Sequence, residues 1–259
     1  MKLKAMLAAL LLGGQAMAQT AVPLPERTPD YFGFGFGAGP RYIGSDDFTV
    51  AAVPIGRKHY GNRYVSLEAN LLTVNVLDHP HWQAGPAGIL RFGRLNPKEE
   101  RIEELPEIDM SIDLGGFVGY RWGSTDPRDN WRVGAQVLHD VSGVHEGYVM
   151  DLSVRRFLPV GDYASLGIGL AASWGSDDYT STYFGIDAAG AAASGLPAFD
   201  AGSGWRDARL LAVYIQPVSR NWALGAGMAY SYLLEDAGAS PVTLSRDQFY
   251  AGIGVLRLW

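Results

Sequence analysis

The chain has 259 residues, no cysteine, 33 glycines and a formal net charge of −6, with 7 Trp, 13 Tyr and 10 Phe. With 19% charged residues and a mean hydropathy of zero it is too apolar for a solvated disordered polymer, and its length suits one large domain or two small ones. The acidic balance and the lack of a Lys/Arg cluster exclude nucleic acid as a partner, and the missing cysteines exclude disulfides, thiolate zinc sites and a cysteine nucleophile.

The N-terminus reads as an export signal. Lys2 and Lys4 form a positive head, Ala5 to Leu12 a short apolar run, and Ala16-Met17-Ala18 a small-residue cleavage site. Residues 1–18 are therefore expected to be removed, which takes the formal charge to −8, and 19–259 to form the mature domain. No later stretch holds eighteen consecutive apolar residues, so helical membrane spans are excluded.

From there the dominant period is two, in segments of about ten residues, as tilted membrane strands require. Strands are expected at 31–39, 48–58, 62–71, 82–93, 108–122, 129–140, 146–158, 163–174, 205–217, 221–234 and 246–258. Eleven is an odd number for a bacterial barrel, so one segment conceals a pair or one is not a strand; twelve strands are preferred and ten is the alternative. In 163–174, Leu166, Ile168, Leu170 and Trp174 share one face and Ser165, Gly167, Gly169 and Ser173 the other. In 221–234, Trp222, Leu224 and Met228 oppose Gly225, Gly227 and Ser231; in 108–122, Ile108, Met110, Ile112 and Leu114 oppose Asp109, Ser111 and Asp113. A soluble sandwich would carry a charged second face. Here that face is mostly Gly, Ala and Ser, which suits a narrow lumen, and the aromatics near strand ends suit a lipid-interface girdle.

Short turns such as 159–162 and 218–220 are assigned to the periplasmic side, and the longer connections 176–204 and 235–245 to the outside. Ile186–Ser194 reads as a short helix stopped by Gly195 and Pro197. The loop 94–107 is rich in charge. The final strand puts Phe249, Ala251, Ile253, Val255 and Trp259 on one face, an amphipathic ending with a terminal aromatic that resembles the assembly signal of outer-membrane proteins.

The chemistry-bearing residues favour structure over catalysis. His139, Ser142 and His145 offer a hydrolase-like set, but they surround a Ser-Gly turn and no G-x-S-x-G elbow is present. His79-Pro80-His81 reads as a turn rather than a metal site, and the pairs Asp46-Asp47 and Asp177-Asp178 as solvated loops or Asx caps rather than calcium ligands. The glycines between Phe32, Phe34 and Phe36 let a strand curve and are no nucleotide loop. On the expected lumen face, Glu68, Asp109, Asp113, Asp151 and Asp207 balance Arg91, Arg121, Arg132, Arg155 and Arg209, which argues for internal ion pairs over a selective channel.

Four loop motifs resemble one family. They are Tyr42-Ile43-Gly44-Ser45-Asp46-Asp47-Phe48; His139-Asp140-Val141-Ser142-Gly143-Val144-His145-Glu146-Gly147; Thr182-Tyr183-Phe184-Gly185-Ile186 continuing to Ala193-Ser194-Gly195-Leu196-Pro197-Ala198-Phe199; and Ser245-Arg246-Asp247-Gln248-Phe249. In this order, from about residue 30 to the C-terminus, they are similar to the MipA/OmpV family of outer-membrane proteins. Val144 stands where the family pattern has a second glycine, and Phe48 where tyrosine is common. The resemblance implies an integral outer-membrane barrel in contact with lipid and lipopolysaccharide, without enzymatic activity or cofactor. It implies a scaffold joining a lytic transglycosylase to a bifunctional murein synthase, with a small-solute porin as the alternative; other members are linked to adhesion and antibiotic susceptibility.

Overall fold

Alternation between small inward and large outward side chains closes the sheet on itself. A computed structural model describes residues 30–94 and 97–259, so the expected signal peptide lies outside the described residues. Twelve antiparallel strands form one closed barrel: β1 (Tyr31–Pro40), β2 (Phe48–Tyr60), β3 (Arg63–Glu68), β4 (Leu71–Asn75), β5 (Trp82–Arg91), β6 (Ser111–Gly123), β7 (Asn130–Asp140), β8 (Tyr148–Val160), β9 (Ala164–Gly175), β10 (Gly204–Ser219), β11 (Trp222–Leu233) and β12 (Asp247–Leu258). β1 pairs with both β2 and β12, so no strand edge is left open. The preferred strand number holds. The extra strand is β4, which begins at the last residue of the expected segment 62–71 and runs on through a stretch assigned to no strand; a turn at Ala69-Asn70, with Ala69 at φ 56°, separates it from β3.

The expected faces also hold. Ile168, Leu170, Leu224 and Met228 point outward, and Gly167, Gly169, Ser173 and Ser231 inward. One expectation fails at the start of β6. The strand begins at Ser111, and Ile108 forms an isolated bridge with Arg94, so Ile108 is buried while Asp109 is exposed outside the lumen.

Aromatic residues gather at two levels of the outer face. Toward one end, Trp82 meets Tyr120 with ring centroids 4.9 Å apart, and Trp122 stacks on Trp131 at 6.2 Å. Toward the other, Tyr148 lies 5.6 Å from Trp174 and Tyr230 5.0 Å from Phe249. Two such belts bracket an apolar band, the arrangement of a membrane barrel. Among the described residues no helix is long and apolar enough to cross a membrane; the strands cross it.

The first belt marks the end where the chain enters and leaves, with short turns such as Gly61-Asn62 and Arg220-Asn221. The opposite end carries the long connections and four short helices: α1 (Glu100–Glu103), α2 (Asp177–Phe184), α3 (Ala188–Ser194) and α4 (Glu235–Ala239). α3 matches its expectation: Asp187 caps its start by accepting from the Gly190 N–H at 2.7 Å, and Gly195 ends it at φ 67°.

Candidate functional site

The long connections fold over the barrel mouth as a cap with two apolar clusters. One gathers Ile43, Ile108, Val149, Tyr179, Phe184 and Leu233. The other gathers Tyr42, Ile102, Leu105, Ile186, Leu196 and Val242. All four sequence motifs meet here. Gly44, at φ 97°, donates its N–H to Gln248 Oε1 at 3.0 Å, and its carbonyl accepts from the N–H groups of Leu244 and Ser245. Gln248 donates in return to the carbonyls of Ser45 and Ser245. Ser45 Oγ accepts from the Asp47 N–H, and Asp47 pairs with Lys98 at 3.0 Å, so Asp47 ties two loops together; Asp46 lies beside it on the same turn.

The second motif is organised by Asp140. Its Oδ1 accepts from the N–H and Oγ of Ser142, and its Oδ2 from the N–H groups of Val144, His145 and Glu146. Gly143, at φ 76°, supplies the left-handed residue of this turn. His145 Nδ1 accepts from the Gly147 N–H, which leaves Nε2 to donate to Asp113 Oδ1 at 3.2 Å. Asp113 also accepts from Ser111 Oγ at 2.9 Å and from Arg91 Nε at 2.5 Å. Asp113, Asp140 and His145 bring ligand-type atoms within 4.8 Å of one another, but donors already occupy both carboxylates, so the cluster is a hydrogen-bond network. His139 faces outward, Ser142 is bound to Asp140 and the Ile112 N–H, and His145 is buried, so the hydrolase-like set does not converge. His79 Nδ1 likewise accepts from the N–H groups of His81 and Trp82, the turn that was expected.

α2 is the part of the cap that enters the mouth. Asp177 and Asp178 occupy its first turn, complementing the positive end of the helix, and Ser176 caps it. Tyr179, fully buried, lies between two guanidinium groups, with Arg91 and Arg206 each 5.6 Å from its ring centroid. Arg206 also donates to Tyr179 Oη at 2.9 Å. Tyr183 packs on His145 at 5.7 Å, and burial pushes its phenol pKa up, so it remains protonated. Ser240 Oγ donates to the Phe184 carbonyl, Gly185 terminates α2, and Ser194 Oγ bonds back to the Gly190 carbonyl. Leu196 is buried in the cap and Pro197 exposed on it. Phe249 and Val255 point outward along β12, and Trp259 is exposed just beyond its end.

Below the cap the lumen divides in two. On one side Tyr31, Phe157, Val213, Ile215, Ala223 and Leu256 form an apolar plug. The other side holds a polar cavity of about 110 Å³ whose wall includes Arg57, Arg132, Arg155 and Arg209 with Glu68 and Asp151. Arg57 pairs with Glu68 at 3.0 Å, and Arg209 with Asp151 at 2.6 Å and Asp207 at 2.9 Å. Arg206 pairs with Asp207 at 2.5 Å. The expected balance of five acids against five bases is therefore corrected. Asp109 leaves the set, while Arg57 and Arg206, which sequence reading missed, join it. Arg57 sits where Gly56-Arg57-Lys58 blurs the alternation, and Arg206 enters at a register shift between Trp205 and Asp207. Cationic groups outnumber carboxylates on the inner wall.

A closed barrel with two aromatic belts, a polar lumen and a folded-in loop defines an integral β-barrel of the outer membrane. A family model described as "MltA-interacting protein MipA" matches residues 32–258. The chain belongs to that family. No curated protein matches it significantly. Among solved structures it is similar to the NanC porin, at 11% identity over 88% of this chain and 99% of that one with a TM-score of 0.49. It is also similar to the outer-membrane channel DcaP of Acinetobacter baumannii, at 8% identity over 90% and 96% with a TM-score of 0.43.

Proposed function

We infer that this barrel is a non-enzymatic anchor in the outer membrane for murein-remodelling enzymes, a lytic transglycosylase and a bifunctional murein synthase. The observation that carries the reading is the mouth itself: Tyr179 is fully buried between Arg91 and Arg206, so the lumen is obstructed where a pore would open. The family description adds the class of partner. A murein enzyme meets the barrel from the periplasm, so the short turns and strand ends, including 124–129 and 161–163, form the docking side.

The polar cavity favours a second reading, a small-solute channel whose cap moves. One experiment separates the two. The purified barrel is tested for ion conductance in planar bilayers and, in parallel, for retention of a purified lytic transglycosylase. Retention with a silent bilayer supports the anchor; steady conductance without retention reverses the order.

A further inference from the structure

Beside the apolar plug the inner wall is bare main chain. Two register rows cross β10, β11, β12, β1 and β2: Ile215–Gly225–Gly254–Gly35–Val53 and Val213–Gly227–Gly252–Gly37–Ala51. These residues occupy inward positions of the alternation, so side chains stand at the ends of each row with three glycines between them. Over this floor is a cavity of about 120 Å³, walled by Val53, Ile55, Val213, Ile215, Leu256 and Tyr250. Glu68 also lines it, but its carboxylate already accepts from Arg57 Nη2 at 3.0 Å and Ser66 Oγ at 3.2 Å.

Strand geometry does not demand all of these glycines. A Cβ on Gly35 would meet the Ile253 carbonyl at 2.6 Å, so close backbone contact excludes a side chain there. A Cβ on Gly225 would meet nothing within 4 Å, and one on Gly227 only the Ala212 carbonyl at 3.7 Å. Neither glycine has a positive φ. Glycine weakens a strand interior, so the empty space at these two positions works against stability. Tyr250, only 6% exposed, supplies a polar group to the wall. Its hydroxyl has no hydrogen-bond partner among the described residues, although a buried phenol ordinarily finds one.

We propose that this cavity is a binding site for one phenol-sized neutral molecule, an apolar ring carrying a single hydroxyl that bonds the Tyr250 hydroxyl. An apolar cavity of about 150 Å³ in a protein interior stays dry and takes up benzene, and this one is of the same order. Its aliphatic wall and glycine floor offer nothing to an ion, and the unpaired phenol rewards one polar group on the ligand. The site is compatible with an anchor or a channel and depends on neither.

The test is methyl NMR of the full folded barrel in lipid nanodiscs, with phenol and benzene as probes. The inward methyl groups of Val213 and Ile215 shift saturably with both probes. The outward methyl groups of Ile168 and Ile253 shift in proportion to probe concentration without saturating, which reports partition into the bilayer. Gly225→Val and Gly227→Val fill the space and lower the affinity for both probes by about tenfold or more. Ala226→Val, between them on the lipid face, binds like the parent. Tyr250→Phe lowers phenol affinity about fivefold and leaves benzene affinity unchanged. Heat-modifiable migration on gels identifies the variants that fold. Absence of a saturable shift with either probe, equal binding by the parent and whichever filling variant folds, or phenol binding unaltered by Tyr250→Phe overturns the proposal.

Discussion

The N–H of Gly44 and the side-chain oxygen of Gln248 are joined at 3.0 Å across 204 positions of sequence. That bond fastens the first long loop to the last strand, and Gln248 is fully buried there. Gln248→Ala leaves the Gly44 N–H and two loop carbonyls without their partner, a loss of about 1–3 kcal/mol for an unsatisfied buried group. The expected result is a lower unfolding temperature for the heat-modifiable band on gels. Unaltered migration and melting would show that water replaces the amide at no cost.

The wall itself distinguishes lipid from lumen. Ile168→Arg or Leu170→Arg costs about 2–4 kcal/mol near the bilayer midplane. Gly167→Ala destabilises by another route: an added Cβ meets Phe157 Cε1 at 2.7 Å and Val213 Cγ1 at 2.9 Å, both inside the apolar plug. Overpacking of this kind costs about 1–3 kcal/mol. Gly169→Ala is milder, since its Cβ meets the flexible Arg155 stem at 3.0 Å. Urea unfolding in lipid vesicles ranks the four, and equal effects at all of them would refute the face assignment.

Tyr179 is the side chain that seals the mouth. Tyr179→Ala takes the ring from between Arg91 and Arg206 and exposes a cationic constriction. Conductance in planar bilayers rises above the parent's and favours anions over cations. A variant as silent as the parent would assign the seal to the rest of the cap.

Where the chain enters the barrel, Asp30 accepts from Lys58 Nζ at 2.5 Å and from the His59 N–H at 2.8 Å. Partial burial pushes its carboxyl pKa up, but the Lys58 and His59 hydrogen bonds outweigh this and hold it below the usual range. A depressed carboxylate stabilises the fold above its unfolded pKa of about 4, and that contribution disappears as pH falls through the lower folded value. Amide exchange at Trp259, whose N–H bonds the Asp30 carbonyl, therefore speeds up at acid pH, and Asp30→Asn abolishes the added pH dependence. A flat profile in the parent contradicts the clasp.

The barrel class, the faces of β9 and β11 and the helix α3 were legible because each is a local pattern: alternation, a cap residue, a left-handed glycine. The strand β4 was hidden because it is only five residues long and its turn from β3, Ala69-Asn70, has neither glycine nor proline to mark where one strand ends and the next begins. The motifs could be seen, but their meeting could not. Nothing in the spacing of Gly44 and Gln248, or of His145 and Tyr179, says that they touch. The inward turn of Arg206 depends on a register shift with no signature in composition.

Pairing Tyr31 with Leu258 makes the first strand wait for the last. Until the C-terminal residues arrive, β1 and β12 are each a ladder of bare backbone groups, and in hydrocarbon such groups cost several kcal/mol apiece. Stepwise insertion from the N-terminus is therefore uphill, and the contact that ends it spans nearly the whole chain, which makes closure slow. The barrel must reach the membrane as a complete polypeptide, held by an assembly machine that shields both edges until they meet. A chain lacking its last strand would be left for proteases rather than trapped half-built in the lipid.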